Sequence, residues 1–156
     1  MPKLEYHVEL DAPVERVWAF YDRLETLLEV TPPRTRVRVM DPPERMAEGV
    51  HFTLIVSQPP IYLPLPWETY ITVYEPPHLF IDEQGIGPFK RWRHEHRFEP
   101  LPGERTRLRD IITYEPPFGP LGKIADRWFV RRQLEAMFAH RHRVTRERVE
   151  TPRRLI

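Results

Sequence analysis

Apolar and polar residues alternate along much of the chain, with the period of two that is typical of half-buried β-strands. In the first such segment Leu4, Tyr6, Val8 and Leu10 share one face, and charged residues and His7 share the other. Six more segments follow, separated by short breaks that carry proline or glycine. The predicted strands are Lys3–Leu10, Arg34–Met40, Val50–Gln58, Trp67–Tyr74, Leu79–Gly85, Arg91–Leu101 and Thr106–Glu115. Because the connections are too short for parallel crossovers, we expect an antiparallel meander.

Two short helices are predicted between the first and second strands. Val14, Val17, Trp18 and Tyr21 recur at helical spacing. A second short apolar run covers residues 24–30 and ends before two prolines.

One long helix, from Leu121 to Val149, is predicted at the C-terminal end. Its apolar residues form two faces, which are rotated by roughly 130° if each residue advances the helix by about 100°. Either the helix bends near Trp128 and Phe129, or its first half is covered on a second side, for example by a dimer partner. Its basic end, Arg141 to Arg148, is expected to be solvated or, alternatively, to attract an anionic membrane surface.

This order of elements predicts an α+β fold in which a seven-stranded curved antiparallel sheet packs on the long helix. We expect a single domain over residues 1–150 and a tail over 151–156. A single helix cannot fill the concavity of so large a sheet, so a cavity should remain between them. Enclosed cavities of this kind are where proteins bind small molecules.

Composition narrows the functional classes. The chain has 156 residues, a formal net charge of +1 and no cysteine, which argues against nucleic-acid binding and excludes disulfides. No apolar run approaches the roughly 20 residues of a transmembrane helix, and the N-terminus lacks the apolar core of a signal peptide, so the expected location is cytoplasmic. Asparagine is absent and proline occurs 19 times, which fits either a heat-tolerant protein or a GC-rich genome.

Several local sequences resemble the START-like, or SRPBCC, superfamily over roughly residues 3–148. The segments that carry the resemblance are 12–18 (APVERVW), 87–89 (GPF), 92–98 (WRHEHRF), 106–110 (TRLRD) and 114–117 (YEPP). The resemblance implies a helix-grip fold with an internal cavity. That superfamily includes polyketide cyclases and aromatases, lipid carriers and quinone-binding proteins, so it implies a fold more strongly than a chemistry.

The hairpin of residues 91–115 places polar side chains on the inward face of the sheet. With a tight turn at Pro102-Gly103, His96 lies opposite Asp110 and Trp92 opposite Tyr114. On the neighbouring strand, Asp82 and Gln84 have the same parity as His94 and Trp92. The predicted ligand-binding residues are Asp82, Gln84, Trp92, His94, His96, Phe98, Asp110, Tyr114 and Trp128.

Three interpretations of this polar cluster remain open. The groups either satisfy one another as plain structure, with Asp110 fixing the tautomer of His96, or they orient the carbonyl, hydroxyl or carboxylate of a ligand. In the catalytic version, His96 held by Asp110 is a general base beside a ketone, as in the cyclase branch of the family. His94 and His96 with Asp110 or Asp82 would also suit a metal, but histidines two residues apart arise by chance, so we expect neither a metal nor a cofactor.

The expected function is therefore the binding of a small hydrophobic ligand such as a lipid, a quinone or an aromatic or polyketide-like metabolite. The alternative is a cofactor-independent cyclase or dehydrase with a His–Asp general base. The protein is expected to be a monomer or a homodimer. The apolar, proline-rich loop 57–67 is expected either to pack into the core or to form a rim that contacts the ligand, a partner or a membrane.

Overall fold

The computed structural model describes residues 1–150, and the predicted tail over 151–156 lies outside the described residues. Seven strands form one antiparallel sheet in the order β1-β7-β6-β5-β4-β3-β2. The strands are β1 (Lys3–Leu10), β2 (Arg36–Met40), β3 (His51–Ser57), β4 (Leu65–Glu75), β5 (Leu79–Gln84), β6 (Arg91–Leu101) and β7 (Arg105–Glu115). The predicted meander is confirmed for β2 to β7, and β1 closes the sheet by pairing with β7.

The predicted helices are also present. They are α1 (Val14–Tyr21), α2 (Leu24–Glu29), α3 (Gly119–Ala125) and α4 (Arg131–Glu150), with a π-helical segment (Asp126–Val130) between the last two. This π segment lies where the two apolar faces of the predicted helix change direction. A π turn contains more residues than an α turn, so it shifts the face that follows it.

The register of the β6–β7 hairpin agrees with the prediction. Trp92 pairs with Tyr114 and His96 with Asp110. Across the other edge of β6, His94 pairs with Asp82 of β5. As a result, the inward faces of three neighbouring strands bring the predicted polar residues together.

The basic end of the C-terminal helix departs from the expectation of a solvated surface on one side only, since Arg143, Arg146 and Arg148 are exposed. Arg141, His142, Thr145 and Val149 are all buried. The reason is geometric: α4 crosses the concave face of the sheet, so the side that continues from Phe138 faces inward whatever its polarity.

The opposite holds for two apolar segments. In loop 57–67, Ile61 is 82% exposed and Leu63 is also exposed, so the middle of this loop forms a surface, whereas Trp67 at its end packs against the core. At the start of α3, Phe118 and Leu121 are exposed as well. Within residues 1–150, no helix combines the length and hydropathy needed to cross a bilayer.

Candidate functional site

A cavity of about 180 Å³ lies between the inward face of β2 to β6 and the helices α2 and α4. Its walls are mostly apolar. The apolar lining side chains are Leu24, Leu27, Val30, Val37, Met46, Phe52, Leu54, Val56, Trp67, Ile71, Phe80, Trp92, Met137 and Phe138. Asp82, His94, His96 and Arg141 form a charged and imidazole-bearing polar wall, and the other polar lining side chains are Tyr21, Arg23, Thr26, Thr31, Thr35, Gln58 and Thr69.

Hydrogen bonds connect the imidazoles of this wall to two carboxylates. His94 Nε2 donates to Asp110 Oδ1 over 2.7 Å, and His142 Nε2 donates to the other oxygen, Oδ2, over 2.6 Å. His96 Nε2 donates to Asp82 Oδ2 over 2.7 Å. Each carboxylate can only accept, so each of these ring nitrogens carries the proton.

The expected hydrogen bond between the side chains of His96 and Asp110 is therefore absent. Each histidine bonds instead to a carboxylate diagonally across from it on the neighbouring strand. The two residues are cross-strand partners, but His96 Nδ1 lies 3.4 Å from Asp110 Oδ1 and has no hydrogen-bond partner. The rings of His94 and His96 are in contact, with centroids 3.6 Å apart and planes tilted by 32°, and each ring bonds to a different carboxylate. His94, rather than His96, is the imidazole that Asp110 holds.

The two neighbouring imidazoles have opposite pKa shifts. Burial and the nearby positive charge of His96 lower the pKa of His94 to about 4, despite its hydrogen bond to Asp110. Burial also disfavours the charged form of His96, but Asp110 and Asp82 outweigh it and raise the pKa of His96. At neutral pH His94 is consequently neutral, whereas the two carboxylates shift the titration of His96 towards its protonated form.

The carboxylates are held in their charged form. Burial alone would raise the pKa of Asp110, but hydrogen bonds from His142 and His94 bring it well below the usual value. The pKa of Asp82 is lowered for the same reason, with His96 as its main hydrogen-bond donor. The polar wall thus contains one ionised carboxylate, Asp82, and a second, Asp110, is buried behind it.

The predicted ligand-binding residues fall into two groups. Asp82, Trp92, His94 and His96 line the cavity. Asp110 is completely buried behind them, where it accepts from His94 and lies 3.4 Å from Nδ1 of His96.

The other four predicted residues do not line the cavity. The Gln84 side chain hydrogen-bonds to the backbone of Phe89, and Phe98 packs in the core around Trp18. Tyr114 is buried and donates to Asp126. Trp128 lies on the π segment and is 64% exposed, because the π turn directs its side chain away from the sheet.

Sequence reasoning missed Arg141, His142 and Tyr21. His142 has no role predicted from the sequence, although it is a buried partner of Asp110. The available pattern was the spacing from Leu134 and Phe138, since continuing that helical face predicts burial at 141, 142, 145 and 149. The charge of the segment concealed this pattern.

Three residues of the polar wall could hold a metal ion. Asp82, His94 and His96 each offer one ligand atom, and these atoms lie within 4.8 Å of one another. Two imidazoles and a carboxylate are ligands that suit zinc or iron. The expectation of a metal-free site stays a prediction.

Comparison with known proteins places this geometry in a family. The chain resembles a protein of Thermus thermophilus (21% identity, TM-score 0.72, covering 95% of this chain and 97% of the other). It also resembles a START superfamily protein of Mycobacterium smegmatis (14%, 0.68, 95% and 97%) and the Zhui aromatase/cyclase of Streptomyces sp. R1128 (17%, 0.67, 96% and 93%). At these identities the likeness shows the fold, which is START-like.

A search of curated protein sequences found no match to the chain. A family model described as "Polyketide cyclase / dehydrase and lipid transport" matches residues 10–143, which is most of the chain. This match and the helix-grip architecture agree with the resemblance seen in the local sequences. The chain belongs to the polyketide cyclase/dehydrase and lipid transport family.

Proposed function

We propose that this protein binds a small hydrophobic ligand in the cavity and orients it by a single polar end. The observation that carries the proposal is the division of the cavity into apolar walls and one polar wall. Burial of an apolar ligand against those walls supplies the driving force, and the polar wall fixes its orientation.

The cavity volume indicates the size of the ligand. An apolar cavity of about 150 Å³ accommodates benzene, and the cavity here is about 180 Å³. A ligand with one aromatic ring fits without rearrangement, whereas a larger lipid or quinone would require the walls to separate.

The state of the imidazoles favours binding over catalysis. A general base works best when its pKa lies near the working pH. His94 has a pKa of about 4, so it is a weak base at neutral pH. In His96, Nε2 is already used as the donor to Asp82.

A cyclase or dehydrase remains the second candidate because the imidazole of His96, whose pKa is raised, also lines the cavity. His96 lines the cavity and its Nδ1 has no hydrogen-bond partner. In its protonated form, His96 could donate a hydrogen bond to a ligand carbonyl and stabilise an enolate. Deuterium exchange next to the carbonyl of a small ketone, compared between wild type and His96→Gln, tests this candidate.

The binding proposal is tested by filling the cavity. Thr69 of β4 lines it, and Thr72 of the same strand is exposed on the other side of the sheet. We expect Thr69→Phe to weaken binding of benzyl alcohol at least about tenfold, because the larger side chain fills the space that the ring of the ligand would occupy. Thr72→Phe is the matched control and should bind like wild type. Calorimetry measures both, and equal affinity of Thr69→Phe and wild type would contradict the proposal.

A further inference from the structure

Arg141 is a buried cation whose side chain has neither a hydrogen-bond partner nor an ion-pair partner among residues 1–150, although its charge lowers the pKa of the nearby Asp82. It lies on α4, is only 9% exposed and lines the cavity. Its Nε has no hydrogen-bond partner, and its guanidinium forms no ion pair with a described residue. The guanidinium carbon lies over the ring of Phe138, 5.2 Å from the ring centroid. A cation–π contact of this kind leaves the N–H donors unused.

The carboxylates nearby are already engaged. Asp110 accepts hydrogen bonds from His94 and His142, and Asp82 accepts one from His96. Neither of them forms an ion pair with Arg141. A guanidinium stays charged at any physiological pH, and burying it without hydrogen bonds is costly.

We propose that Arg141 is the anchor for a ligand carboxylate, so that the cavity takes a small organic acid with one aromatic or aliphatic apolar body. This inference rests on the proposed function and names its ligand class. A guanidinium has two parallel N–H donors that match the two oxygens of a carboxylate, and such charge-assisted bonds are stronger than neutral ones. The apolar body of the acid then lies against the walls formed by Phe52, Leu54 and Ile71.

The probes are benzoate and benzamide, which have the same shape and differ in charge. We expect wild type to bind benzoate at least about tenfold more tightly than benzamide, because charge-assisted hydrogen bonds contribute more than neutral ones. Benzyl alcohol, which tests the cavity alone, is measured beside them by calorimetry.

Substitutions assign the preference to one side chain. Arg141→Met should lower benzoate affinity by about 10- to 100-fold and leave benzamide within about threefold. Arg141→Lys should keep part of the preference, because the charge remains and the two-pronged geometry does not. Arg143→Met removes an exposed arginine of the same helix and should change neither affinity.

Each outcome decides between the two proposals. If wild type binds benzamide as tightly as benzoate, the carboxylate anchor is wrong even if Arg141→Met does not fold. Equal losses for both probes in Arg141→Met would also overturn it, while binding of benzyl alcohol would leave the cavity function standing. If no probe binds wild type, the proposed function fails together with the inference.

Discussion

In the first half of the C-terminal helical region, residues 119–130, large apolar side chains are exposed, among them Leu121, Ile124, Trp128 and Phe129. In the second half, α4, charged and polar side chains are buried: Arg141, His142 and Thr145. Position relative to the sheet, and not hydropathy, decides burial in both halves. The first half extends past the sheet, whereas the second crosses its concave face and contributes to the polar wall. A buried polar face is costly unless its groups are paired, so it is where function is expected.

The largest expected effect on stability comes from comparing a phenylalanine in the second half of the helical region with one in the first half. Phe138 is fully buried and stacks on Tyr6 with ring centroids 4.9 Å apart, while Phe129 is 58% exposed. We expect Phe138→Ala to lower the free energy of unfolding by about 3–5 kcal/mol. Phe129→Ala should change it by less than about 0.5 kcal/mol. Urea unfolding measures both.

A loss above about 1 kcal/mol for Phe129→Ala would break the comparison. It would mean that a second copy covers the first half in solution, as the homodimer alternative requires. The loss would then depend on protein concentration, since dimers dissociate on dilution.

The second expected effect compares two histidines of α4. His142 donates to Asp110, whereas His140 Nδ1 accepts from Arg143 on the helix surface. His142→Ala leaves one oxygen of a buried carboxylate unpaired and should cost about 1–3 kcal/mol. His140→Ala should cost less than about 0.5 kcal/mol. Equal losses in urea unfolding would show that the contact with Asp110 contributes little to stability.

The smallest expected effect is a pH dependence confined to the buried half. The pKa of His96 is raised in the folded state. Protonation of His96 therefore contributes fully to stability when the pH is below about 6.5, the pKa of the unfolded state. The contribution is lost as pH rises through the folded value. As the pH rises through this range, the free energy of unfolding of wild type should therefore decrease gradually. The same decrease is expected for Phe129→Ala but not for His96→Gln. Imidazole ¹⁵N shifts measure the titration directly, and a His96 pKa below 6.5 would contradict this account.

Much of the fold could be predicted because alternation and turn residues are local. The seven strands follow from the period of two, and the Pro102-Gly103 turn predicts the pairing of His96 with Asp110, which the structure confirms. Strand ends shifted by one or two residues, as for β2, which begins at Arg36.

The site was only partly predictable, because it depends on which side of a helix meets the sheet. Asp82, Trp92, His94 and His96 reach the cavity by strand parity alone. Which carboxylate each of His94 and His96 bonds to could not be predicted, because it depends on the contact between the two rings and on side-chain rotation. Arg141 and His142 were hidden by the basic sequence around them, and Trp128 was misleading because the π segment turns it outward.

The pairing of β1 with β7 has a consequence for how the chain acquires its structure. Leu10 pairs with Thr106 of β7, so β1 finds its hydrogen-bonding partner only after the last of the seven strands has been synthesised. At ribosomal rates of about 5–20 residues per second, this delay is on the order of ten seconds during synthesis. Contacts between such distant parts of a chain also slow refolding, because a long loop has to close first. The charges of Lys3, Glu5 and Glu9 lie along one face of β1 and disfavour association of the unpaired strand with other nascent chains.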